Sequence, residues 1–165
     1  WQCATIQVDF NMPERFDLHY TDSDGSQKRP IMMHRAIFGS FERFIGVLIE
    51  HFRGLFPLWL APVQIGVIPI AAPHEHFAQQ LMVDLKGRGL RTQFFGHKES
   101  LGKRIREGET MKIPYLLVVG DREMAEQTVT VRNVKTKKQV TVPFAEFVTK
   151  TVEDIRARKL EAGIG

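Results

Sequence analysis

Two short apolar runs constrain this chain most. Residues 63–70 read Val-Gln-Ile-Gly-Val-Ile-Pro-Ile, and residues 113–119 read Ile-Pro-Tyr-Leu-Leu-Val-Val. Both have strand length and are almost continuously apolar, the pattern of strands covered on both faces. Pro114 sits at the start of the second run, where a missing N–H is tolerated. Between the runs, residues 73–86 read as a helix stopped by Gly87. Residues 90–95 follow as a strand and residues 101–107 as a short basic helix. After the second run, residues 120–123 predict a turn. Residues 128–132 and 139–142 predict a hairpin around residues 135–138. Residues 143–160 predict a helix with Phe144, Phe147, Val148, Val152 and Ile155 on one side. The order β-α-β-α-β-β-β-α with helix-length connectors implies an α/β sandwich with a mixed sheet.

Upstream the pattern differs. Residues 3–10 alternate, with Thr5, Gln7 and Asp9 opposite Ile6, Val8 and Phe10, the period of a half-buried strand. Pro13 interrupts, residues 16–20 read as a second strand, and Asp22-Ser23-Asp24-Gly25-Ser26 predicts the turn of an antiparallel ribbon. Ser40 is a candidate helix N-cap, with Phe41, Phe44, Ile45, Leu48, Ile49 and Phe52 at helical spacing behind it. Gly54 and Pro57 stop that helix, and residues 58–62 form a Pro-bounded connector. A boundary there gives two domains, residues 1–55 and 56–165.

Composition bounds the function. Of 165 residues, 43% are apolar and 25% charged, enough to bury a core. No apolar run approaches the roughly 18 residues of a membrane helix, so no membrane partner is expected. Cys3 is the single cysteine, which excludes an internal disulfide. A net charge of +4 is compatible with a nucleic-acid partner without demanding one. The chain starts at Trp1 in full strand pattern, without signal-peptide features, and reads as the C-terminal part of something longer.

Common catalytic motifs are absent: no phosphate loop, no G-x-S-x-G elbow, no H-E-x-x-H, no C-x-x-C. Gly87-Arg88-Gly89 reads as a turn after a helix. In His74-Glu75-His76 the imidazoles, two residues apart on a helix, diverge, so a polar helix start outweighs a metal site. Residues 33–44 stand apart. They put His34, Arg35, Gly39, Ser40, Glu42 and Arg43 at a helix start, where free N–H groups and the positive dipole end suit an anion. Arg43 lies one turn inside, placed for a phosphate or for pairing with a surface carboxylate. Residues 85–112 hold eight basic side chains (Lys86, Arg88, Arg91, Lys98, Lys103, Arg104, Arg106, Lys112) against Glu99, Glu107 and Glu109. That cluster suits phosphate binding or a solvated helix face equally. Of Phe94 and Phe95, one has the chance to stack on an unpaired base while the other points to the core.

The run H-R-A-I-x-G-S-x-E-R-F at residues 34–44 resembles motif 3 of class II aminoacyl-tRNA synthetases, in the form typical of threonyl-tRNA synthetases. Residues 1–7, with Asp9-Phe10 and Pro13-Glu14-Arg15-Phe16, resemble the strands that precede it. Residues 56–64 resemble the join to the family's C-terminal anticodon-binding domain, and residues 112–123 resemble that domain's central strand and turn. The four segments occur in the family's order and span nearly the whole chain.

The resemblance implies an α+β catalytic-domain remnant over residues 1–55, with antiparallel strands and the motif 3 helix, then an α/β anticodon-binding domain over 56–165. It implies a threonine–tRNA ligase that joins threonine to its tRNA through threonyl adenylate, with ATP and Mg as substrate. His34 matches one of three zinc ligands, the other two lying outside this chain, so the zinc site here is incomplete. Arg43 matches the Arg that clamps the ATP phosphates. Gln2, Cys3, Thr5, Gln7, Gly39 and Ser40 match the wall of the ATP, threonine and tRNA-end pocket. Glu123 and Arg132 match anticodon readers, and Lys98 stands where the family often has Asn. The partners implied are threonine tRNA, ATP, threonine and a second subunit joined through motif 1, which is not in these residues. A cytoplasmic location is expected, with an organelle left open. The fragment alone is expected to bind tRNA and not to catalyse. The alternative is a non-enzymatic synthetase-derived RNA-binding module or accessory subunit.

Overall fold

The computed structural model describes residues 4–165 and divides the chain into two compact units, one ending at His51 and the other running Phe52–Gly165. In the first unit, β1 (Thr5–Asp9) pairs antiparallel with β4 (Met32–Ala36), setting Gln7 opposite His34. Helix α1 (Asn11–Arg15) and the strands β2 (Tyr20–Thr21) and β3 (Gln27–Lys28) lie between them in sequence, and α2 (Phe41–Phe52) follows. The strand expected at residues 16–20 shrinks to β2, because the chain turns into α1 first. Asp9 Oδ1 accepts the N–H groups of Asn11 (2.9 Å) and Met12 (3.0 Å). Pro13 then falls in the first turn of α1, where its missing N–H costs nothing.

The second unit is built on a five-stranded sheet. Its elements are β5 (Ile65–Pro69), a 3-10 turn (Ala72–His74), α3 (Glu75–Gly87), β6 (Thr92–Phe94), α4 (Leu101–Thr110), β7 (Tyr115–Val119), α5 (Asp121–Glu126), β8 (Thr128–Asn133), β9 (Gln139–Pro143) and α6 (Phe144–Arg156). The order is β6-β5-β7-β8-β9. The first three strands are parallel, and β7, β8 and β9 alternate in direction, so the sheet is mixed as predicted. One expected turn is a helix instead. Glu123 Oε2 accepts the N–H of Gly120 at 3.0 Å, which caps α5, and Gln127 ends it with φ +53°.

One sheet face carries Ile65, Val67, Tyr115, Leu117, Val119, Val129 and Val131, all buried under Phe77, Leu81 and Leu85 of α3 and Phe147 and Val148 of α6. The other face is divided. On its β5–β7 half, Ile68, Phe95 and Leu116 pack under Leu101 and Ile105 of α4. On its β8–β9 half, Thr130 and Arg132 are half-buried, and Gln139 and Thr141 are exposed.

Gly66 on β5 makes the tight half possible. A Cβ there would lie 2.7 Å from Leu116 Cδ2 and 2.9 Å from Phe95 Cε2. Gly66→Ala should therefore overpack this core and cost about 1–3 kcal/mol. Urea denaturation of the two chains checks it, and equal midpoints would contradict the packing described.

Candidate functional site

The first unit sets its polar groups on one face of the β1–β4 ribbon. Gln7 and His34 face each other in register, and His34 Nε2 lies 3.2 Å from Asp9 Oδ2. The Met12 N–H, with help from the His34 ring, keeps the Asp9 carboxyl below its ordinary range. Thr5 is half-buried opposite Ala36. Gln2 and Cys3 lie outside the described residues. Gly39 takes a left-handed φ of +67°, which a side chain would strain, and delivers the chain into α2. Ser40 caps α2 as its position predicts: Oγ accepts the Arg43 N–H at 3.2 Å. Phe38 and Phe44 stack across this cap, ring centres 4.5 Å apart. Arg43 is exposed one turn inside the helix. Among the described residues no three His, Cys, Asp or Glu side chains converge for a metal. His34 and Asp9 offer two donors where zinc takes four ligands, so the described residues do not make a zinc site on their own.

In the second unit the open β8–β9 half of the sheet collects the polar groups. The alternation Thr-Val-Thr-Val-Arg-Asn in β8 turns the valines to the core and Thr128, Thr130 and Arg132 outward. Thr130 Oγ1 donates to Glu123 Oε1 at 2.8 Å. Its single proton is then used, so in its 2.8 Å bond with Thr141 it accepts. The chain of donation Thr141 to Thr130 to Glu123 thus has one direction. Burial works to raise the Glu123 pKa, but the Thr130 hydroxyl and the N–H groups of its own backbone and Gly120 outweigh it and hold it below the usual range. Each carboxylate oxygen accepts one of these bonds, which leaves lone pairs for a ligand donor. Arg132 Nε donates to Glu109 Oε1 at 2.9 Å, and Lys137 Nζ lies 3.2 Å from the same oxygen.

Lys98 is exposed in the loop after β6. That loop is pinned on both sides. Glu75 Oε1 accepts the His97 N–H at 2.9 Å and lies 2.6 Å from its Nδ1. Arg104 Nε donates to Glu99 O at 2.9 Å.

One sequence reading needs correction here. Arg104 does not belong to a surface phosphate cluster: it is 3% exposed and its donors go to the carbonyls of Pro69, Ile70, Phe95 and Glu99. The other seven basic residues are exposed, although Arg91 donates to the Trp59 and Ala61 carbonyls and Lys103 pairs with Glu99. Phe95 is buried in one core cluster, and Phe94, half-buried, packs against the other. His74 and His76 do diverge. His74 is buried and accepts the Ala71 N–H on Nδ1, so its Nε2 proton goes to Asp121 at 2.9 Å, while His76 is exposed. Glu109, Thr130 and Thr141 were missed. The β8 alternation signals the threonine face, whereas nothing local to Glu109 marks it.

Comparison with known proteins adds five matches. Residues 64–154 match the family model described as anticodon binding domain, and residues 1–52 match the one described as tRNA synthetase class II core domain (G, H, P, S and T). The chain is 48% identical over 159 residues to the threonine–tRNA ligase of Carboxydothermus hydrogenoformans, covering 96% of this chain and 25% of that protein. It is 51% identical over 161 residues to the threonine–tRNA ligase of Thermus thermophilus, covering 98% and 24%. Its fold superposes with a TM-score of 0.79 and 34% identity on the RNA binding domain of threonyl-tRNA synthetase from Cryptosporidium parvum, covering 93% of this chain and 39% of that one. The chain spans about a quarter of the length of the curated relatives it matches.

The lowered Glu123 and Glu109 carboxyls make stability depend on pH with a definite sign. A carboxyl whose pKa is lower folded than unfolded contributes stability above its unfolded value and loses it as pH falls through the folded one. Stability should hold down to the ordinary value of 4.5 and decline below it. Glu123→Gln should be less stable near neutrality and decline less in acid. Urea midpoints from about pH 7 to about pH 3 check this, and parallel curves for the two chains would contradict it.

Proposed function

This chain belongs to the class II aminoacyl-tRNA synthetases that carry an anticodon-binding domain, and on that premise we propose that it is the C-terminal part of a threonine–tRNA ligase. In this reading residues 1–55 end the catalytic domain and residues 56–165 bind the anticodon. The observation that carries it is the open β8–β9 half of the sheet, with an anionic acceptor at Glu123 and a donor fork at Arg132. Unpaired bases are read on their edges by such groups, and Lys98, exposed in the loop after β6, would add a base-edge or phosphate contact. The exposed basic side chains attract the backbone without reading sequence.

The first unit would serve the activation of threonine. Arg43, exposed behind the Ser40 cap, would hold ATP phosphates, with the free N–H groups of the α2 start and Gly39 at the same turn. Gln2, Cys3, Thr5 and Gln7 would line the threonine and tRNA-end pocket. His34 would be one ligand of a zinc site completed by two ligands outside these residues. Mg would accompany ATP as substrate. The ribbon leaves Ile6, Val8 and Met33 exposed, and α2 leaves Phe41, Ile45 and Ile49 exposed. Apolar faces of this extent suit the remainder of a catalytic domain, and a partner subunit would join through that remainder.

Two measurements test the reading. The chain should bind a threonine tRNA transcript and lose about tenfold or more in affinity when its anticodon bases are replaced. Arg132→Ala should erase most of that difference. Equal affinity for both transcripts would contradict the anticodon assignment. Threonine-dependent ATP–pyrophosphate exchange should be undetectable with these 165 residues alone. Its appearance would contradict the view that this is an incomplete catalytic unit.

A further inference from the structure

Glu109 stands at the line where α4 stops covering the sheet. Gly108, just before it, is buried against β7: a Cβ there would lie 2.6 Å from Leu116 Cδ2. The absence of a side chain at Gly108 therefore lets α4 seat directly on the Leu116 side chain. Leu116 is the register partner of Arg132 on β8. This close seat brings the Glu109 carboxylate to Arg132, 23 residues further on. Oε1 accepts from Arg132 Nε at 2.9 Å and lies 2.8 Å from its Nη2. Lys137, between β8 and β9, brings Nζ to 3.2 Å of the same oxygen. The Glu109 and Arg132 side chains are each 23% exposed, so the contact is largely shielded. Burial works to raise the Glu109 pKa, but the bonds from Arg132 and Lys137 outweigh it, and the group is ionised at neutral pH.

A guanidinium offers two forked edges, Nε with Nη2 and Nη1 with Nη2. Glu109 occupies the first. Only the second is left for a ligand, and it matches a base that presents two acceptors on one edge. The anion also offsets two cations beside the open face, which lowers attraction for any phosphate.

We propose that Glu109 is a positioning residue for RNA recognition, clamping one edge of Arg132 so that the other is presented to an unpaired base. The inference rests on the anticodon-binding reading above. Its signature is separable from simple charge attraction: Glu109 sustains discrimination between RNAs while reducing non-specific affinity.

The test uses the full 165-residue chain and two synthetic RNAs. One is the anticodon stem-loop of a threonine tRNA, and the other is the same stem-loop with its anticodon bases replaced. Glu109→Ala should bind the replaced stem-loop as tightly as the unaltered chain or more so, with a steeper salt dependence. Its preference for the threonine stem-loop should fall by about tenfold, toward that of Arg132→Ala. Glu109→Gln keeps an acceptor oxygen and should retain most of the preference. Glu109→Asp keeps the net charge but withdraws the carboxylate by one methylene. It should lose preference without a change in salt dependence, and it serves if the alanine variant does not fold. Loss of preference in Arg132→Ala but not in Glu109→Ala and Glu109→Asp would overturn this inference alone. An intact preference in Arg132→Ala would overturn the anticodon assignment and this inference with it. Equal weakening of both RNAs by Glu109→Ala, with a lower melting temperature, would mark a merely structural role and overturn the inference.

Discussion

A buried guanidinium seats the helix on which the second unit's architecture turns. Arg104 projects from α4 into the C-terminal ends of the parallel strands and donates to the carbonyls of Pro69, Ile70, Phe95 and Glu99. Burial lowers its pKa and nearby Glu75 opposes that, so the cation persists although only 3% of it meets solvent. The bonds to Pro69 and Phe95 are buried, and a carbonyl left without a donor there would cost about 1–3 kcal/mol. The same residue thus ties α4 to the ends of β5 and β6 and fixes one side of the Lys98 loop. Glu75 fixes the other side through His97.

With α4 held there, the second sheet face is covered over β5 to β7 and left open over β8 and β9. The close contact at Gly108 brings Glu109 to Arg132, and the α5 cap brings Glu123 to Thr130. Both charged groups therefore stand at the rim of the open half in orientations set by the fold. In the proposed RNA-binding role neither would have to be ordered on binding, which would limit the entropy lost. The first unit has the opposite character. Its β1–β4 ribbon and α2 bury little and expose Ile6, Met33, Phe41 and Ile45, as expected of a piece whose packing partners lie elsewhere in longer relatives.

Much of this was legible in the residues. The two apolar runs became β5 and β7, the β8–β9 hairpin and α3, α4 and α6 followed, and Ser40 caps α2. What escaped depends on contacts distant in sequence. Residues 120–123 look like a turn because the Glu123 carboxylate that caps α5 also depends on Thr130 for its place. Arg104 looks like one surface cation among eight, since only the three-dimensional ends of β5 and β6 supply its acceptors. Phe94 and Phe95 look like one core and one free ring, and Phe95 is the core ring while Phe94, half-buried, packs against the cluster on the other face. Glu109 has no local signal, because its partner is 23 residues away on another element.

The central claim is that RNA docks on the open β8–β9 half of the sheet. Nuclear magnetic resonance of the methyl groups and the Arg132 Nε–H, during titration with a threonine anticodon stem-loop, tests it most directly. The account predicts that the largest shifts fall on Thr130, Thr141 and Arg132, with Val67 of β5, Leu81 of α3 and Val148 of α6 nearly unmoved. Shifts concentrated on the α3 and α6 side, with Thr130 and Thr141 unchanged, would contradict it.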